Sequence, residues 1–333
     1  MILFAIIEQE TEAKMKSIAV LTSGGDSPGM NAALRAVVRT SVYNGVRIFG
    51  IDHGYKGIFE GQIKELNRYS VADIIHRGGT ILYTDRCREM YEEEGPKRAA
   101  EILKGYGIDA LVAIGGDGTY RGALSLSEYG VDVIAIPGTI DNDIPCTDYT
   151  IGFDTALNTA VEAIGKIRDT SNSHNRINVV QVMGRNCGNL ALYSGLAGGA
   201  EAIVIPEEKY NPAEICKKIM QGKDKGKMHS IIVFAEGAGD LGEFCREIET
   251  GTGIETRTTI LGYIQRGGSP SAFDRILASR MGALAVELIL KDEKNKAVCL
   301  KHNEYIGTDI KEALAMKYEF NRDVYQTALQ LSV

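Results

Sequence analysis

Three times along the chain a short run of β-branched and small apolar residues ends in a glycine-rich turn, and an amphipathic stretch follows. Residues 18–21 lead into Ser23-Gly24-Gly25-Asp26-Ser27-Pro28-Gly29 and then a helix over 30–43, stopped by Gly45. Residues 110–114 lead into Gly115-Gly116-Asp117-Gly118-Thr119 and a helix ending near Tyr129, with Gly130 as its left-handed terminator. Residues 177–182 lead into Gly184-Arg185-Asn186-Cys187-Gly188 and another helix. Residues 131–136 and 230–235 read as further buried strands, and the 3–4 spacing of Leu157, Ala160, Val161, Ile164 and Ile167 predicts a surface helix over 154–169. Strands alternating with helices imply an α/β fold with a parallel sheet covered on both faces. In such sheets ligands bind at the carboxyl ends of the strands, where these glycine turns fall.

Glycine supplies 38 of 333 residues, about 11% against a usual ~7%. With only 7 prolines this is not low-complexity sequence, so the excess sits in turns where backbone approaches something. The formal charge of −7 argues against bulk nucleic-acid binding, and no apolar run nears the ~20 residues of a membrane span, so a soluble chain is expected. The six cysteines form no C-x-x-C pair and no H-x-x-x-H accompanies them, which argues against a zinc site; buried thiols in a reducing cytoplasm are expected. The start lacks a basic n-region and a cleavage site, so residues 1–14 read as an N-terminal extension, disordered or the product of a start upstream of Met15.

A glycine turn before a helix offers bare N–H groups and the positive helix end to an anion. G-x-x-x-x-G-K-[ST] is absent, and neither GGDSPG nor GGDGTYRG spells G-x-G-x-x-G, so neither a Walker loop nor a dinucleotide fingerprint is present. Two turns each carrying an aspartate make chemical sense if an aspartate holds Mg²⁺ against phosphate oxygens. In Pro137-Gly138-Thr139-Ile140-Asp141-Asn142-Asp143 two carboxylates two residues apart suit a base and a metal helper; alone, such a pair would read as an acidic helix cap. The lysines of 217–227 read from composition as a solvated helix end.

The segments LTSGGDSPGMNAALRAVVR, HGYKGI, RGGT, IGGDGTY, PGTIDNDI, TDYTIGFDTALNT, RDTSNSH, VMGRNCG, GLAGGAE, ETR and QRGGSPSAFDRILASRMGA, in this order, resemble bacterial ATP-dependent 6-phosphofructokinases from about residue 16 to 300. The resemblance implies two similar three-layer α/β/α domains with mostly parallel sheets. The larger ATP-binding domain would take 15–152 plus 265–318, and the smaller sugar-phosphate domain 153–264 plus 319–333. It implies transfer of the ATP γ-phosphoryl group to the 1-hydroxyl of fructose 6-phosphate, with Mg²⁺. By the family pattern Gly25, Tyr55, Arg86, Cys87, Gly116, Asp117, Gly118, Thr119 and Gly122 would line the nucleotide, with Asp117 carrying the metal. Asp141 would be the base, with Thr139, Asp143 and Arg185 beside it. Met183, Gly184, Arg185 and Glu236 would hold the acceptor, and Arg176, Arg257 and Arg266 would clamp its 6-phosphate. Arg176 and Arg257 would come from a neighbouring subunit of a homotetramer. Arg35, Arg39, Asp73, Arg168, Gly199, Glu201, Lys225 and Lys227 match an effector pocket for ADP or phosphoenolpyruvate. The family's pyrophosphate-using branch carries Asp and Lys where this chain has Gly118 and Gly138, which implies ATP as donor.

Three positions depart from the pattern. Tyr263 stands where the family pattern usually has a His beside the sugar 6-phosphate. A neutral hydroxyl is a weaker donor than a charged imidazole, so fructose 6-phosphate KM is expected to be raised and to fall in Tyr263→His, as steady-state kinetics would register. Asp85 replaces a small residue before Arg86: it would repel the triphosphate or pair with Arg86, both loosening ATP, or else face solvent. Asn175 stands before Arg176 where some members carry Glu, which predicts shallower cooperativity. The segment after 297 matches poorly and carries no functional expectation. Alternatives to the phosphofructokinase reading are a kinase for another ketose phosphate and a non-catalytic regulatory subunit, the latter opposed by the intact Asp117 and Asp141.

Overall fold

The computed structural model describes residues 16–171 and 173–332; the extension expected over 1–14 lies outside them. The first part of the chain runs β1 (Ser17–Thr22), α1 (Met30–Tyr43), β2 (Arg47–Ile51), α2 (Tyr55–Phe59), β3 (Ile63–Leu66), α3 (Gly95–Gly105), β4 (Ala110–Gly115), α4 (Asp117–Ser127) and β5 (Asp132–Pro137). There follow α5 (Phe153–Ser171), β6 (Ile177–Val182), α6 (Asn189–Ala197), β7 (Ala202–Val204), α7 (Pro212–Asp224), β8 (Ser230–Ala235), α8 (Leu241–Thr252) and β9 (Thr256–Ile260). The chain closes with α9 (Ala272–Leu290), β10 (Lys296–Lys301), β11 (Glu304–Asp309), α10 (Ile310–Ala315) and α11 (Arg322–Leu331).

Two sheets result. A seven-stranded sheet in the order β11-β10-β5-β4-β1-β2-β3 is parallel except for its two edge strands, β3 against β2 and β11 against β10. A four-stranded sheet in the order β7-β8-β6-β9 is parallel throughout. The central strands β1, β4 and β8 are buried at every position, as their unbroken apolar runs require. Leu34, Val37 and Val38 of α1 pack with Leu277 and Met281 of α9 on one face of the large sheet. Leu103 of α3 and Tyr120, Ala123 and Leu126 of α4 cover the other. On the small sheet, Ala156, Ala160 and Ile164 of α5 join Leu190 and Ala191 of α6, while Ile219 of α7 and Phe244 and Ile248 of α8 fill the opposite side. This is an α/β architecture in two domains.

Helix α1 has the predicted bounds, and Gly130 is left-handed at φ 78°, although α4 stops at Ser127 and the chain reaches Gly130 through a turn. The strands β1, β4 and β5 are neighbours, so their carboxyl ends discharge the segments 23–29, 116–119 and 138–143 side by side. Residues 183–188, after β6, bring the second sheet to the same place.

Candidate active site

These turns enclose a cleft of about 840 Å³. It is lined by Gly25, Tyr55, Arg86, Cys87, Gly116, Asp117, Gly118, Thr119 and Gly122 from the nucleotide set, and by Thr139, Asp141, Asp143, Arg185 and Arg266 from the acceptor set. Another hollow, between α7 and α8, is lined by Cys216, Met220, Arg246 and Glu247 and contains none of the residues expected to act.

The 116–119 turn is locked from two sides. The Thr119 hydroxyl donates to the Ser23 carbonyl at 3.1 Å, and the buried Tyr55 hydroxyl donates to the Thr119 carbonyl at 2.6 Å. Tyr55 can take this position because residue 122 is glycine: a Cβ there would meet the tyrosine ring at 2.7 Å. Gly25 has a similar role, since a Cβ would stand 2.8 Å from the Arg266 guanidinium that lies across it. Arg266 also sits over the Tyr263 ring, 5.5 Å from its centroid, so the exposed tyrosine serves this arginine as a platform. Burial pushes the Cys87 thiol up to about 11, which keeps it protonated and inert.

Asp117 opens α4 and is gripped by both prongs of Arg121, one turn on, at 2.7 and 3.1 Å. Among the described residues no three His, Cys, Asp or Glu side chains form a metal cage. One exposed carboxylate at a phosphate-cradling turn nevertheless fits Mg²⁺, which keeps several waters and takes its remaining ligands from substrate phosphates. Arg121 was not singled out from the sequence, although the i, i+4 acid–arginine spacing was available as a signal.

Asp141 is 6% exposed, and its carboxyl is pushed up to about 6, by burial first and by Asp143 second. Arg185 and Arg266 pull the other way, and the Arg185 Nε stands 3.8 Å from Asp141 Oδ2. Burial raises Asp143 as well. The Asp141 N–H donates to the Thr139 hydroxyl at 3.2 Å. Arg185 has φ 51°, and its N–H donates to Glu236 at 2.8 Å; Met183 donates its N–H to Gln265 at 3.2 Å. Met183, Gly184, Glu236 and Tyr263 thus adjoin the cleft through Arg185 and Arg266 rather than lining it.

Arg176 and Arg257 are not brought to the cleft. Both pair with Glu255, Arg176 at 2.6 Å, on the outer edge of the small sheet. Arg35 and Arg39 stand one turn apart on α1, and burial together with Arg39 lowers the Arg35 pKa. Arg168 donates to the carbonyls of Gly198 and Gly199, and Lys227 pairs with buried Glu201, which also accepts from the Ile231 N–H. Among the described residues no hydrogen bond or ion pair joins this second group to Arg35, Arg39 or Asp73. His229, missed in the sequence, stands in the field of Arg168, Glu201 and Lys227, and burial lowers its pKa.

Asp85 lines the cleft, and two of the courses offered from the sequence are not taken. Its carboxylate receives the Lys56 ammonium at 2.7 Å and the Arg86 backbone N–H at 2.7 Å, so it neither pairs with the Arg86 guanidinium nor faces solvent unengaged. The Lys56 hydrogen bond holds its pKa below the ordinary value.

A glycine turn of backbone donors, an exposed carboxylate beside it and a buried carboxylate facing an arginine are the kinds of group that phosphoryl transfer asks for, here on a two-domain α/β fold. The phosphofructokinase family profile matches residues 17–289. The chain is 58% identical over 319 residues to an ATP-dependent 6-phosphofructokinase of Alkaliphilus metalliredigens, covering 96% of this chain and all of that one. It is 57% identical over 318 residues to the protein of the same name from Clostridium botulinum, with the same coverage. Among solved structures, phosphofructokinase from Saccharomyces cerevisiae superposes with a TM-score of 0.86 at 35% identity, over 95% of this chain and 47% of the yeast chain. A pyrophosphate-dependent phosphofructokinase from Marinobacter aquaeolei shares the fold, at TM-score 0.80 and 21% identity over 95% of this chain and 91% of its own. The chain belongs to the phosphofructokinase family.

Proposed function

We propose that this protein is an ATP-dependent 6-phosphofructokinase, a glycolytic kinase that transfers the ATP γ-phosphoryl group to the 1-hydroxyl of fructose 6-phosphate and releases ADP. The observation that carries this is the convergence of the 116–119 turn, Asp141 and Arg185 on one cleft. Phosphoryl transfer asks a protein mainly for positioning and charge neutralisation. The Gly116, Asp117 and Gly118 amides at the start of α4 cradle the donor phosphates. Asp141, once ionised, accepts the proton of the sugar 1-hydroxyl as that oxygen bonds to the γ-phosphorus and the bond to the ADP oxygen breaks. Arg185 neutralises charge on the transferring group. Asp117 would hold Mg²⁺, which would supply further neutralisation of the phosphates, with Arg121 alongside keeping the carboxylate in place.

ATP as donor is supported at Gly118, where an added Cβ would meet nothing within 4 Å, so an Asp in its place would project unhindered from a residue that lines the cleft. Arg176 and Arg257, absent from this cleft, are assigned to the cleft of a neighbouring subunit in a homotetramer, with Arg266 completing the 6-phosphate clamp. The two separated cationic groups around Arg35 and Arg168 are assigned to an ADP or phosphoenolpyruvate pocket between subunits. The larger domain takes 15–152 plus 265–318 and the smaller 153–264 plus 319–333, a division supported by the two sheets drawing their strands from those stretches. No helix among the described residues is long and apolar enough to cross a membrane, which accords with a cytoplasmic enzyme.

The test is the initial rate of fructose 1,6-bisphosphate formation with Mg-ATP, beside a pyrophosphate control and with ADP or phosphoenolpyruvate added across a fructose 6-phosphate series. Product with ATP alone, and curves that shift with the effectors, are expected. No product with ATP overturns the reading. In the same assay Asp85→Ala should raise the ATP KM about two- to fivefold with little change in kcat, because it releases the Arg86 segment from α2. This is opposite in sign to simple repulsion of the triphosphate, which would make the Ala variant bind ATP more tightly.

A further inference from the structure

The turn that carries the two acidic residues is held from an unexpected direction. Between Asp141 and Asp143, Asn142 has φ 51°, a left-handed conformation that Asn tolerates better than most residues but that still needs fixing. Its own side chain fixes one side, accepting from the Thr150 N–H at 2.8 Å and donating to the Asp148 carbonyl at 3.3 Å. Its carbonyl is held from the other domain. Asn189, 5% exposed at the start of α6, donates its amide to the Asn142 carbonyl at 2.9 Å. The other end of that amide is held in turn by the Tyr318 hydroxyl, which donates to Asn189 Oδ1 at 2.9 Å. Tyr318 lies between α10 and α11, in the segment that had no functional expectation, and burial raises its phenol pKa so that it remains a donor.

We propose that Asn189 and Tyr318 are positioning residues for phosphoryl transfer, a two-bond relay through which the C-terminal segment and α6 hold the Asn142 peptide and so aim the carboxylates on either side of it. The inference rests on the reading of Asp141 as the base. The Asn142 carbonyl can accept only from the NH₂ end of Asn189, and the tyrosine hydroxyl engages the oxygen end, so the two bonds select the same orientation of the amide. Without that bond the Asn189 oxygen is left unpartnered, the amide is held at one end only, and the hydrogen bond that ties the turn to α6 loosens. Displacing a reacting group by about 1 Å can cost on the order of a hundredfold in rate.

The experiment uses the full chain with Tyr318→Phe, Asn189→Ala and the double variant, beside Asp141→Asn. Tyr318→Phe keeps the ring and is expected to lower kcat about three- to tenfold, and Asn189→Ala about ten- to a hundredfold, with the ATP KM within about twofold of the parent. The double variant should be no worse than Asn189→Ala, since both bonds belong to one relay. The melting temperature of Tyr318→Phe should stay within about two degrees of the parent. Unchanged kcat with a lowered melting temperature, or losses that add, would overturn the relay in favour of simple packing. If Asn189→Ala does not fold, Tyr318→Phe decides alone. Asp141→Asn separates the two readings: if it retains activity the base assignment fails, and if it is dead while the other variants turn over normally the relay alone is wrong.

Discussion

Asp141→Asn is expected to lower kcat by about 10²–10⁴-fold, the usual value of a positioned general base, and at the same time to raise the melting temperature at neutral pH. Both effects come from one fact: the carboxyl is buried beside a second acidic residue, and its pKa is pushed up to about 6 from the ordinary 3.8. Between those values the folded chain holds a proton that the unfolded chain has released. The stability this group contributes is therefore complete below about pH 3.8 and lost as pH rises through about 6. Above that point the fold carries a buried anion, which is the form the chemistry needs and the form the packing disfavours. Asparagine keeps the shape and removes the charge. The melting temperatures of variant and parent should draw apart as pH rises from about 4 to 6 and keep a constant gap above that, while the parent's kcat/KM should fall on an acid limb near pH 6. Asp274, also pushed up to about 6 by burial, remains in both proteins, so the difference between them isolates Asp141. A variant that turns over normally at pH 8 would remove Asp141 from the base's role.

What could be read from the sequence follows the range over which its signals act. The helix over 30–43, the strands over 177–182 and 230–235 and the 116–119 turn were legible because local periodicity and glycine placement specify them. The edge strand β3 was not: Ile-Lys-Glu-Leu is half charged and half exposed, and it pairs antiparallel with β2 only because a sheet edge is there to receive it. Strand β9, Thr-Arg-Thr-Thr-Ile, is likewise a polar edge strand with no buried position, though it pairs in parallel with β6. In the site, the residue types carrying the chemistry were legible, and resemblance gave most of them roles. The residues that hold them were not. Lys56 meets Asp85 across 29 residues of chain, and Tyr318 meets Asn189 across 129, and no spacing rule spans such distances. The Asp85 carboxylate belongs with them, since its Lys56 partner could not be read from its own surroundings in the chain.

Arg185→Gln should act twice, and the two parts can be separated by pH. The guanidinium is held over the cleft by a backbone N–H bond to Glu236 at 2.8 Å and by the left-handed turn at Arg185 itself, with Nε 3.8 Å from Asp141 Oδ2. Removing its charge takes a cation from the transferring phosphoryl group, a loss of about 10²–10³-fold in kcat on the scale of a deleted transition-state donor. It also takes away the first of the two positive charges that restrain the Asp141 pKa. Burial and Asp143 are then opposed by Arg266 alone, so the carboxyl rises further and the acid limb of kcat/KM moves above pH 6. At pH 7 a larger share of the base is protonated, adding to the loss. Raising the pH to 9 should restore that second part and leave the first untouched, so the ratio of parent to variant rates should narrow with pH and then level off. Rates measured from pH 6 to 9 decide the matter: a ratio that is constant across the range would mean that Arg185 stabilises the phosphoryl group without acting on Asp141.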